Sequence, residues 1–210
     1  MLNVKKFVFN DFQVNTYVLD CGGECLIIDC GCQYEREWEE LRDYLKEKNL
    51  RPLESLHTHF HVDHMIGYRF LKEEYNIGYR VHPDSRLFID LAVEFASVFS
   101  IHLDKVYEPT GFLSEGEIIH LGDVRLQVIY TPGHADGSVC FYSPHEHVIF
   151  TGDVLFRDSI GRSDLPTGNY DKLKESIIKK LFVLPPDTVV HPGHGPTTTI
   201  GYEMQNNPFL

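Results

Sequence analysis

Between Leu56 and Gly67 the chain reads LHTHFHVDHMIG, which puts His59, His61, Asp63 and His64 within six positions. Each of these side chains can ligate a metal ion, since imidazole nitrogen and carboxylate oxygen suit zinc, iron and manganese alike. Spacing decides how they divide. Residues two apart on an extended segment project to the same side, so His59 and His61 can grip one ion together. The chain is expected to turn into a helix near Asp63. That turn brings Asp63 and His64 to the same rim, where the helix dipole also favours a carboxylate. The pattern thus offers two pairs of ligands rather than four ligands to one ion. In a chain with 12 histidines, a chance match to it is expected on the order of a few times per thousand.

Three further ligand candidates follow strand-like segments. His134 stands in TPGHADGS directly after VRLQVIY, with Pro132 and Gly133 forcing a turn. Asp153 ends the apolar run HVIFTGD, and His194 lies in TVVHPGHGPT. A strand end holds a side chain rigidly while the neighbouring loops supply a cleft. Two ions about 3.5–4 Å apart, bridged by a carboxylate, acidify a shared water to hydroxide near neutral pH. They also polarise a substrate carbonyl and stabilise its oxyanion, so no serine or cysteine nucleophile is required.

These residues need a scaffold, and the apolar pattern suggests one. VKKFVF, NTYVLD and ECLIID read as successive antiparallel strands separated by turn residues. A helix is predicted over Tyr34–Lys48, then a short strand LESLH, a helix over 65–75, a strand over 78–82 and an apolar helix over 85–99. Strands follow near 117–121, 124–130, 138–143 and 147–151, then a helix over 170–182 and a strand over 187–191. Strands in runs with helices between them imply sheets covered by helices. The length suits a single domain spanning 1–210, with no linker or low-complexity stretch.

With 19 basic and 31 acidic side chains the net charge is −12, which disfavours nucleic acid and anionic membrane surfaces as partners. No run approaches the roughly 20 apolar residues of a membrane span. MLNVKKFVFN lacks the apolar run and cleavage site of a secretion signal, so a cytoplasmic location is expected. Five cysteines, an odd number, then point to reduced thiols. Cys21, Cys25, Cys30 and Cys32 do not match the paired spacing of zinc knuckles. Cys21 and Cys25 read as small apolar fillers, and Cys32 is expected to approach the cleft.

With the THFHVDH motif followed by His134, Asp153 and His194 in that order, the chain resembles the metallo-β-lactamase fold superfamily over essentially its full length. The resemblance implies an α+β fold, a four-layer αββα sandwich of two mixed sheets. It also implies two divalent metal ions, zinc first, with iron or manganese as alternatives. It assigns His59, His61 and His134 to one ion and Asp63, His64 and His194 to the other, with Asp153 bridging them. Asp63, which can also orient the hydroxide, and Asp153 are thereby the candidate catalytic residues.

GRSDLPTGN, VNTYVLD and IIDCG further resemble segments of glyoxalase II-like hydrolases, whose substrates are thioesters such as S-lactoylglutathione. The chain stops soon after His194, short of the helical domain with which larger glyoxalase II enzymes hold glutathione. That departure bears on glutathione specificity more than on thioester hydrolysis. A persulfide dioxygenase using one iron on His59, His134 and Asp153, and a lactonase using both ions, are the alternative activities. A metal-binding protein with a vestigial site is the non-enzymatic one. β-Lactam hydrolysis is disfavoured by the missing export signal. The expected partner is a small thioester or ester, and the chain is a monomer or homodimer.

Arg162 and Asp164 are candidate substrate-binding residues, read either as a substrate-side cation with its partner or as an ion pair bracing a loop. The helix over 85–99 carries Leu87, Phe88, Leu91, Phe95, Val98 and Phe99. Its apolar side is read first as core or dimer packing and second as a substrate wall. His57 and His191 are read as packing residues or as supports behind the ligands.

Overall fold

A computed structural model describes residues 1–103 and 105–210. The opening strands β1 (Asn3–Phe9), β2 (Val14–Cys21) and β3 (Glu24–Ile28) form the expected antiparallel meander. β2 is buried from Val14 to Leu19 because both of its faces are covered. Tyr17 and Leu19 enter one core, and Val18 between them enters another. Helix α1 (Glu35–Glu47) buries Trp38, Leu41 and Leu45 along one stripe, and Trp38 stacks on Phe70 with ring centroids 5.4 Å apart.

β4 (Arg51–Leu56) then pairs in parallel with β3. One helix is predicted next, but two short ones form, α2 (Val62–Met65) and α3 (Tyr68–Tyr75). The break falls at Gly67, which packs so closely on the 30–32 loop that a Cβ there would meet the Cys32 nitrogen at 2.6 Å. β5 (Gly78–Val81) runs parallel to β4. The apolar segment 85–99 also divides, into α4 (Arg86–Asp90) and α5 (Ala92–Val98), with Leu91 at non-helical angles between them. A short strand β6 (Gly111–Phe112) completes a sheet ordered β1-β2-β3-β4-β5-β6.

The second sheet begins with β7 (Ile118–Leu121), β8 (Val124–Tyr130), β9 (Val139–Ser143) and β10 (Val148–Gly152), successive antiparallel neighbours. A small ribbon of β11 (Leu155–Phe156) and β12 (Ser159–Ile160) follows. Helix α6 (Tyr170–Ser176) widens into a π-helical turn at Ile177–Leu181 where a continuous helix is predicted. β13 (Val189–Pro192) returns parallel to β10. β14 (Thr198–Thr199) and helix α7 (Ile200–Asn206), neither expected from the sequence, end the chain.

Three apolar layers separate four structural ones. Leu41, Ile27 and Tyr79 lie between the first sheet and its helices. Leu26, Phe141 and Phe150 lie between the two sheets, and Ile149, Leu173 and Ile200 lie beneath the last helices. This is the αββα sandwich. β8, β10 and β13 all run the same way, so their C-terminal ends share one rim. Among the described residues no helix is long and apolar enough to cross a membrane.

His191 packs in the inter-sheet core, stacked on Phe150 with centroids 4.9 Å apart and edge-on to Tyr17, its Nδ1 unpaired. Burial, with a lesser push from Lys6, lowers its pKa to about 4. An unfolded histidine titrates near 6.5. The unfolded chain therefore takes up the extra proton between those values, and His191 contributes a loss of stability as pH falls from about 6.5 towards about 4. Urea unfolding at about pH 7 and about pH 4.5, with a chelator present, is expected to show a smaller acid loss for His191→Phe than for the parent chain.

Candidate metal centre

The rim gathers all seven candidate ligands. β4 of the first sheet runs out into His59, His61, Asp63 and His64, the last two on α2. In the second sheet β8 leads to His134, β10 to Asp153 and β13 to His194. His61 Nδ1 stands 3.1 Å from His59 Nε2 and 3.0 Å from His134 Nε2. In the second group Asp63 Oδ2 is 3.3 Å from His194 Nε2 and 3.5 Å from His64 Nε2, and the two imidazole nitrogens are 3.3 Å apart. Asp153 lies between the groups, with Oδ2 3.7 Å from His134 Nε2 and 3.5 Å from His194 Nε2, and Oδ1 3.4 Å from His64 Nε2. No side chain fits at Gly193, where a Cβ would stand 2.2 Å from Asp153 Oδ1.

The tautomers follow from what lies behind the ligands. His134 Nδ1 donates to the Arg162 carbonyl at 2.7 Å, and His194 Nδ1 donates to that of Phe12 at 3.0 Å. His64 Nδ1 donates to Asp29 Oδ2 at 3.0 Å. The Thr58 hydroxyl donates to the same oxygen at 2.6 Å, which leaves it to accept from His59 Nδ1 at 3.1 Å. Four histidines thus spend Nδ1–H on the protein and turn a free Nε2 lone pair to the centre, while His61 presents Nδ1.

Asp29 is the functional residue that the motifs do not reveal. It is the third residue of IIDCG, buried at a left-handed φ of 53°, and its Oδ1 also accepts the Thr58 amide at 2.8 Å. A non-glycine residue at positive φ carrying a buried carboxylate is the local sign that marks it.

Electrostatics favour a cation here. Burial and the neighbouring imidazoles hold His59 well below its ordinary pKa, and burial with His134 pushes His61 down to about 3. Burial works against ionised Asp153 and Asp63, yet His64 and His194 overcome it and keep both carboxylates ionised below their usual range. For His64, burial is outweighed by Asp63, Asp153 and Asp29, which raise its pKa well above normal. A metal ion displaces that proton on binding. Asp153 Oδ1 is buried without a hydrogen-bond donor. Converging lone pairs and an orphaned carboxylate oxygen are what divalent cations resolve, so the residues present fit a pair of them.

The centre forms the floor of a cleft of about 640 Å³. Segment 85–99 does both things read for it: Phe88 lies in the core with Phe95 packed against it, and Phe88, Phe95, Val98 and Phe99 line the cleft. Phe88 is buried beside the centre, Val98 and Phe99 stay exposed on the cleft wall, and Leu87 and Leu91 are exposed outside it. Arg162 reaches the cleft wall, whereas Asp164 lies outside it and pairs with Arg162 through bonds of 3.0 and 2.9 Å on an exposed surface. Cys32 does not approach the cleft. It is buried beside Cys30 under the helices, where burial pushes its thiol pKa up. His57 packs against Phe60, Tyr68 and Tyr79 with its Nδ1 4.0 Å from Asp29.

The family model of the metallo-beta-lactamase superfamily matches residues 9–194. The hydroxyacylglutathione hydrolase GloC of Haemophilus influenzae is 34% identical over 212 residues, covering 100% of this chain and 98% of that protein. The crystal structure of BLEG-1 B3 metallo-beta-lactamase is 37% identical, covers 99% of both chains and superposes with a TM-score of 0.90. That of TTHA1623 in a di-iron-bound form is also 37% identical, covers 98% of this chain and 100% of that one, and gives 0.88.

Elemental analysis after metal loading is expected to find both ions lost from Asp153→Ala and one retained in His194→Ala. Two ions in both variants would refute the ligand assignment. Asp29→Ala removes no ligand, yet chelator competition is expected to show metal affinity lowered by roughly 10–100-fold.

Proposed function

The chain belongs to the metallo-β-lactamase superfamily, and from that premise we propose that it is a dinuclear metal-dependent hydrolase acting on a thioester. The observation that carries this reading is the pairing of two ligand triads through Asp153 at the floor of one cleft. His59, His61 and His134 would hold one ion and Asp63, His64 and His194 the other, with Asp153 lying between the two groups. When bound, the ions supply an acidified water and a Lewis acid for the substrate carbonyl.

The chain's own residues set the geometry. The Asp63 carboxylate lines the cleft and accepts a hydrogen bond from the attacking water, which orients it towards the carbonyl carbon. The Arg162 carbonyl and Asp29 keep the imidazoles of His134 and His64 in place. The phenylalanines of α4 and α5 exclude bulk water. A new bond forms between the water oxygen and the carbonyl carbon. The carbon–sulfur bond breaks with its electron pair on sulfur; one proton of the water completes the thiol, and the other passes to solvent as the carboxylate product forms.

Two features support a thioester over other acyl compounds: the likeness to GloC, a hydroxyacylglutathione hydrolase, and the segment GRSDLPTGN beside the cleft. Zinc is the first choice of metal, and the di-iron form of TTHA1623 supports iron as an alternative. The substrate is a small molecule met in the cytoplasm, with Arg162 at its side and Asp164 fixing Arg162.

The test loads the protein separately with zinc, iron and manganese. It then follows loss of thioester absorbance for S-lactoylglutathione and for acyl thioesters of N-acetylcysteamine. Turnover that a chelator abolishes is expected. Cleavage of a lactone or a β-lactam with every thioester left intact would overturn the substrate class. Oxygen uptake with glutathione persulfide would overturn hydrolysis itself.

A further inference from the structure

Resting on the thioesterase reading above, we infer that the cleft prefers a thioester with an apolar acyl chain and gives little hold to the carboxylates of a glutathione moiety. The apolar surface begins at the metal centre, where the Phe88 ring lies edge-on to His61 with centroids 4.8 Å apart. It continues along Phe95, Val98 and Phe99, and Phe12 meets Phe99 edge-to-face at 5.3 Å. Phe156, Ile160 and Leu165 line the same cleft. Val98 and Phe99 remain 75% and 51% exposed, and Phe12 39%. These side chains form a bowl of apolar surface open to water, continuous with the reacting centre, which a hydrocarbon chain covers at a gain.

Charge points the same way. A glutathione thioester carries two carboxylates and one ammonium, and a site that reads carboxylates offers free guanidinium or ammonium groups. Among the described lining residues the only lysine or arginine is Arg162, and both Nε and Nη2 of its guanidinium are committed to Asp164.

The experiment uses the metal-loaded enzyme with acetyl, butanoyl, hexanoyl and octanoyl thioesters, each made on N-acetylcysteamine and on glutathione. Burial of each added methylene is worth roughly a threefold to fourfold gain in kcat/KM. Octanoyl N-acetylcysteamine is therefore expected to exceed the acetyl compound by ~100-fold or more, and the glutathione series to gain nothing over its neutral counterparts. Phe99→Ser, at an exposed position, is expected to cut the octanoyl-to-acetyl ratio by about tenfold. Asp164→Asn frees the Arg162 guanidinium and is expected to raise the glutathione-to-N-acetylcysteamine ratio several-fold. A flat length dependence, a preference for glutathione in the parent enzyme, or an Asp164→Asn variant with an unchanged ratio would overturn the inference while leaving a thioesterase. If no thioester is cleaved, the thioesterase reading fails first.

Discussion

A buried carboxylate organises this centre without touching it. Asp29 sits behind the ligands and accepts from His64, from the Thr58 hydroxyl and from the Thr58 amide at once. Through Thr58 it also fixes His59. A buried carboxylate is tolerable only where donors satisfy it, so the burial of Asp29 depends on His64 and Thr58 keeping their positions. Ligand geometry and the burial of Asp29 are therefore one constraint, and its left-handed backbone is the strain that the arrangement carries.

The sandwich meets that constraint by bringing strand ends from both sheets to one rim. The Thr58 carbonyl accepts the Val139 amide at 2.7 Å, which ties the histidine segment of the first sheet to the second. On the other side of the centre, Asn15 and Tyr17 on β2 hold the loop after β13, with Asn15 Nδ2 2.9 Å and Tyr17 Oη 2.7 Å from the Pro192 carbonyl. His194 is thus fixed from the first sheet although it follows a strand of the second. Each group is set by contacts spread across the chain, so loosening either sheet disturbs both.

The cleft above combines opposites. Its floor concentrates ionised carboxylates and imidazoles, while its walls are phenylalanine, leucine and isoleucine. Low polarity at the walls strengthens every electrostatic interaction at the floor. The walls belong to short helices and to the 161–169 loop, whose Arg162 carbonyl also orients His134. Shape of the cleft and tautomer of a ligand are coupled in that one loop.

What the sequence determined by itself was mostly local or patterned. The runs VNTYVLD and ECLIID already read as strands, and helices interspersed among such runs already implied sheets covered by helices. The one-dimensional spacing of His59, His61, Asp63 and His64 already marked a ligand cluster, although His59 and His61 lie in the bend after β4 rather than on a strand. Tertiary structure alone decided what depends on distant neighbours. Asp29 gains its role from Thr58 and His64, some 30 residues on. Gly67 splits a predicted helix because the Cys32 backbone lies against it. Phe88 and Phe95 line a cleft as well as packing in the core. Periodicity records that a side chain is apolar and which face it takes. Whether that face meets a core, a cleft or water is set by the packing of elements far apart in the chain.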